Sequence, residues 1–151
     1  FPGPSRFMFP AFAKALQFNP LTPYLFSQGA KDEARVRRLI VSTGSMPPVE
    51  QIDAYAALLK RPGHVAGALG MMANWDLGGL ESALPSLDRR AVLIAAANDR
   101  AVPPGDASRI VKRMKNAEHV LVPDYGHLVH EETPEAIAKI VRNHAQAMGL
   151  G

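Results

Sequence analysis

The stretch Ala91-Val-Leu-Ile-Ala-Ala-Ala97-Asn98-Asp99 is a short, continuous apolar run with charged residues before it and turn formers after it. Such a run suits a strand buried on both faces of a parallel sheet. A helix could use the same alanines, so the neighbouring sequence has to decide. Downstream, Pro103-Pro104 precede Ala107, Ile110, Val111 and Met114 at helical spacing, and His119-Val-Leu-Val122 offers a second strand ahead of Pro123-Asp-Tyr-Gly126. Strand, helix, strand is a βαβ unit and places the chain in the α/β class.

Beyond the second strand the end of the chain reads as a helix. Thr133 stands at the N-cap, Pro134 at the first helical position and Glu135 near the positive end of the dipole. Ile137, Ile140, Val141, His144 and Met148 share one face, and Gly149 stops it.

Upstream of about Leu84 the texture differs: short helices punctuated by prolines, with no convincing alternation of period two. Val36, Leu39, Ile40 and Thr43 form one helical stripe, with Lys31, Arg35 and Arg38 on another face and Gly44 as the stop. A second helix follows Pro48, carries Ile52, Tyr55, Ala56 and Leu59, and ends at Arg61-Pro62-Gly63 because proline cannot continue the ladder. A third, from about His64 to Trp75, groups Val65, Ala68, Leu69 and Met72. The first thirty residues hold Phe7, Phe9, Phe12, Phe18, Tyr24 and Phe26 among prolines, an apolar and kinked segment.

Composition narrows the function. The 17 basic and 14 acidic residues are interleaved, too diffuse a pattern to argue for nucleic acid. The absence of cysteine removes disulfides, thiolate metal sites and cysteine nucleophiles. No apolar run approaches the roughly 20 residues that cross a bilayer. Phe1-Pro-Gly-Pro is neither a start methionine nor a signal-peptide opening, and suggests a truncated or processed chain. His64, His119, His130 and His144 show no helical i, i+4 pairing with carboxylates, so no metal site is expected. No cofactor is expected either.

Asp99 follows the first strand and His127 the second, and the carboxyl-end loops of a parallel sheet are where catalytic groups gather. A carboxylate that accepts a hydrogen bond from one imidazole nitrogen fixes the tautomer and leaves the other nitrogen free as a general base. Both residues also have a plainer reading, Asp99 as a turn or capping residue and Gly126-His127 as a helix entry. Glu131 and Glu132 read as dipole-favoured helix-entry residues, not acids of a mechanism. None of Ser5, Ser27, Ser42, Ser45, Ser82, Ser86 and Ser108 lies in a Gly-x-Ser-x-Gly elbow, so no nucleophile is expected within the chain.

Ala96-Ala97-Asn98-Asp99-Arg100-Ala101-Val102-Pro103-Pro104 resembles the acid loop of α/β-hydrolases, and Pro123-Asp-Tyr-Gly126-His127-Leu-Val-His-Glu131-Glu132-Thr-Pro134 resembles their histidine loop. Ala96 stands where many members have glycine, a departure that bears on turn geometry more than on chemistry. The phrase Gly63-His64-Val-Ala-Gly-Ala-Leu-Gly-Met71-Met72-Ala-Asn74-Trp75-Asp76-Leu77 is similar to the cap of the BchO-like magnesium-chelatase accessory hydrolases of bacteriochlorophyll synthesis. The segments from Phe9-Pro10 to Asn19-Pro20 and from Arg35-Val36 to Thr43-Gly44-Ser45 fit the same cap, so the resemblance runs over nearly the whole chain.

The resemblance implies an incomplete α/β-hydrolase fold: a helical cap over residues 1–85, and over 86–151 the last βαβα segment of a mostly parallel sheet. It implies Asp99 and His127 as acid and base of a Ser-His-Asp triad whose serine lies in an N-terminal companion segment, the expected partner. This chain alone is then expected to be inactive, and to fold only against that segment. Met71, Met72 and Trp75 read most simply as cap packing, but with Leu128 they would also line an apolar pocket for an ester or tetrapyrrole-like ligand. His64 could in principle ligate a tetrapyrrole metal, although a polar cap histidine is the simpler reading. A carboxylic-ester or carbon-carbon bond hydrolase and a non-catalytic porphyrin-binding accessory protein share these features. The implied location is cytoplasmic, peripheral to photosynthetic membranes.

Overall fold

A computed structural model describes residues 12, 14–16, 18–75 and 78–149. Ser5, Phe7, Phe9, Asp76 and Leu77, singled out above, lie outside the described residues. Two compact units divide the chain, one holding residues up to Leu39 together with Val49–Gly78, the other Ile40–Pro48 together with Gly79–Gly151.

The first unit is helical. Helices α1 (Thr22–Gly29), α2 (Glu33–Ser42, whose last turn belongs to the second unit), α3 (Val49–Leu59) and α4 (Pro62–Ala73) follow in order. Asp32 Oδ1 accepts a hydrogen bond from Ala34 N at 3.0 Å and so caps the start of α2. Pro62 serves twice. Lacking an N–H, it cannot extend α3, yet its fixed φ suits the first position of α4, which therefore starts two residues earlier than the sequence suggested. The α4 helix packs against α1 and α3. Val36, Ile52, Ala56, Val65, Leu69 and Ala73 are buried. Leu39, expected on the buried stripe of α2, is instead 58% exposed, because Val36 and Ile40 take the centre of that face and leave Leu39 on its flank.

The second unit carries the sheet. Helix α5 (Gly78–Ala83) and a 3₁₀ turn (Leu84–Ser86) lead into β1 (Ala91–Ala96), then α6 (Gly105–Val111), β2 (Ala117–Val122), a short α7 (Val129–Glu132) and α8 (Pro134–Ala147). The strands pair in parallel, with Ala91 opposite Ala117 and Ala96 opposite Val122. Helix α6 covers both strands, and Met114, assigned to that helix from its spacing, falls just beyond its end. Ala96, Val122 and Val129 form the core, with Ile94, Tyr125, Ile137 and Ile140 packed against it.

Two expectations change in detail. β1 is not buried on both faces among the described residues: Ala91–Ala95 are half-buried and only Ala96 is fully covered, since β2 is the single strand paired with it there. Thr133 does occupy the cap position of α8, but its side chain makes no capping hydrogen bond. The α8 helix ends as its sequence requires, with Gly149 at φ +73°. Its expected apolar stripe is only partly covered, Ile137 and Ile140 being half-buried and Val141 53% exposed.

Candidate active site

The parallel register brings the carboxyl ends of β1 and β2 side by side, and the two following loops are joined by a hydrogen bond from Asn98 N to Tyr125 O at 2.9 Å. The second loop reverses tightly through Asp124, which adopts φ 68°, a conformation that aspartate tolerates better than most residues. His127 Nδ1 thereby comes to 2.9 Å from Asp99 Oδ2. Asp99 Oδ1 accepts from the backbone N–H groups of Ala101 and Val102, each at 2.8 Å. One carboxylate oxygen thus anchors its own loop and the other faces the ring.

That division fixes the chemistry of the ring. An ionised carboxylate only accepts hydrogen bonds, so Nδ1 carries the proton and Nε2 of the neutral imidazole keeps a free lone pair. The Asp99 side chain is 12% exposed and that of His127 39% exposed, a screened carboxylate beneath a reachable imidazole. A cavity of about 360 Å³ is lined by the pair itself together with His130 and an apolar wall that includes Ile94, Val102, Val129 and Ile137.

A third segment enters the same region. Gly44, at φ +88°, ends α2, and the chain runs on between the two loops. Thr43 O accepts from Arg100 N at 3.0 Å on the acid-loop side. On the histidine-loop side, Ser45 Oγ accepts from Leu128 N at 2.7 Å. Ser45 is fully buried. Glu132 completes the set: its Oε2 accepts from Met46 N at 2.8 Å and its Oε1 from Gly126 N at 3.1 Å. The helix-entry reading of Glu132 is therefore incomplete. It sits at the end of α7, and its carboxylate is occupied by two backbone N–H groups.

Ser45 and Glu132 escaped sequence reasoning because the partner of Ser45 and one of the two partners of Glu132 are 83 and 86 residues distant along the chain. The one local signal was Gly44, read only as a helix stop. Among the residues expected to line a pocket, Met71 is exposed and Met72 half-buried on α4, and Trp75 is exposed just after it, all in the first unit. Leu128 is half-buried in the second unit, beside His127. His64 is exposed on the first turn of α4, and His144 Nδ1 lies 2.8 Å from Ile140 O within α8. No group of three or more metal-ligating side chains occurs among the described residues. None of their helices is long and apolar enough to cross a membrane.

Residues 1–140 match the model of a family described as the alpha/beta hydrolase family, and the chain belongs to that family. It is also similar to the magnesium-chelatase 30 kDa subunit of Rhodobacter capsulatus, 35% identical over 144 residues that make up 93% of this chain and 49% of that protein. The chain thus spans about half the length of the curated relative it matches.

Proposed function

We propose that the chain supplies the acid and the base of a Ser-His-Asp triad in a serine hydrolase related to the magnesium-chelatase 30 kDa subunit, with the nucleophilic serine on a segment outside these residues. The observation that carries this reading is the 2.9 Å approach of His127 Nδ1 to Asp99 Oδ2, with the second carboxylate oxygen held by two backbone N–H groups. In the proposed reaction His127 Nε2 takes the serine hydroxyl proton as Oγ attacks an ester carbonyl, then delivers it to the departing alcohol. Water, deprotonated by the same nitrogen, hydrolyses the acyl-enzyme and regenerates serine and acid. Asp99 orients the imidazole and stabilises the imidazolium. Residues 1–85 would form the cap and 86–151 the last part of the core, with Leu128, next to His127, facing an apolar acyl or tetrapyrrole-like group.

The test is ester hydrolysis and serine labelling by a fluorophosphonate in the protein that includes the preceding segment. His127→Ala is expected to lower both by roughly four to six orders of magnitude, the range seen when a triad member is lost. Unaltered rates would remove the residue from the mechanism.

A second reading, porphyrin binding without catalysis, is favoured by the name of the relative, a magnesium-chelatase subunit. Fluorescence titration with protoporphyrin IX separates the two. Saturable binding that is indifferent to His127→Ala, in a protein with no hydrolase activity, favours the accessory role; no saturable binding eliminates it.

A further inference from the structure

We infer that Glu132 and Ser45 are positioning residues for His127, acting through the Thr43–Met46 segment as a clasp across both loops of the pair. The inference rests on the reading of Asp99 and His127 as acid and base. The side chain of His127 is held by Asp99, and its ring is 39% exposed. Its placement therefore depends on the backbone on either side, and both flanking N–H groups are held by side chains. Gly126 N donates to Glu132 Oε1, and Leu128 N donates to Ser45 Oγ.

The two acceptors are joined. Glu132 uses its other oxygen on Met46 N, the residue after Ser45, so one carboxylate ties the histidine loop to the segment that carries the second acceptor. The opposite edge of that segment holds the acid loop through Thr43 O and Arg100 N, next to Asp99. A displacement of residues 43–46 would therefore move both members of the pair. Carboxylates accepting backbone N–H bonds form the stronger, charge-assisted kind, and a fully buried hydroxyl keeps water from competing for Leu128 N.

The same geometry argues against a purely structural role. Both acceptors engage residues adjacent to His127, and neither Ser45 nor Glu132 is itself a member of the apolar core of Ala96, Val122 and Val129. Their loss is expected to degrade the alignment of the imidazole before it degrades the fold. Misplacement of a catalytic group by about 1 Å can cost on the order of 100-fold in rate.

The experiment uses the complete protein and reads both kcat against KM for an ester and the proton NMR resonance of the hydrogen-bonded His127 Nδ1–H. Glu132→Ala is expected to lower kcat by roughly 100-fold with KM changed by less than about twofold, and to broaden or remove that resonance. Glu132→Gln, which keeps one acceptor oxygen, should restore part of both. Ser45→Ala should act in the same direction, and carries the test should Glu132→Ala fail to fold. Unchanged kcat and an intact resonance in Ser45→Ala, and in Glu132→Ala where it folds, overturn the inference, as does a loss that tracks melting temperature alone. Full activity of His127→Ala would instead overturn the triad reading, while the resonance still reports on the clasp.

Discussion

Gly126 packs its Cα directly against the backbone of Gly44: a Cβ built at position 126 would fall inside the van der Waals envelopes of the Gly44 carbonyl and the Ser45 nitrogen. Position 44 is equally closed, since a Cβ there would overlap the Asn98 carbonyl while φ stands at +88°. Two glycines thus let three strands of backbone lie in contact beside His127 and Asp99. The atoms in the way belong to backbone, which cannot swing aside as a side chain can.

Gly126→Ala is accordingly expected to cost stability at the upper end of the roughly 1–3 kcal/mol of an overpacking substitution, and to lower kcat more than KM. Gly44→Ala adds left-handed backbone strain to the same overlap and should be the more damaging of the two. Chemical denaturation and steady-state kinetics of the two variants check the order. A Gly126→Ala protein of wild-type stability and rate would show that the close approach is dispensable.

Asp99→Asn probes the tautomer separately from the shape. With Oδ1 still accepting from Ala101 and Val102, the asparagine amide would present its N–H₂ to the ring and force the proton onto Nε2, leaving no base. The rate of ester hydrolysis should fall by roughly 10⁴. Combined with His127→Ala, the substitution should add little further loss, because the two residues act as a unit. Losses that multiply would indicate independent roles.

Ile40 and Val41 are neighbours in sequence with opposite surroundings, 5% and 38% exposed. Ile40→Ala should destabilise by about 2–5 kcal/mol, as buried large-to-small changes do. Val41→Ala should cost about 1 kcal/mol or less. Equal losses in a denaturant titration would contradict the assigned helical face.

β1 is apolar from end to end, yet five of its six residues are only half-buried among the described residues. Such a strand is expected to need a further neighbour. Residues 1–151 expressed alone should therefore melt without cooperativity, and co-expression with the proposed nucleophile-bearing segment should restore a sharp transition. A monodisperse, cooperatively melting monomer of 1–151 would refute this.

The division between what could be read along the chain and what could not follows the range of the forces involved. Apolar periodicity, prolines at helix starts and glycines at helix ends act over a few residues, so the strands around Ala91 and His119, the helices around them, and the loops in which Asp99 and His127 stand were legible in the order of residues alone. Burial and hydrogen-bond partnership depend on what arrives from elsewhere. The exposure of Leu39, the half-buried state of β1, and the employment of Ser45 and Glu132 beside His127 were decided only in the tertiary structure. A buried backbone N–H must find an acceptor, but the pattern of residues around it does not say from which part of the chain that acceptor comes.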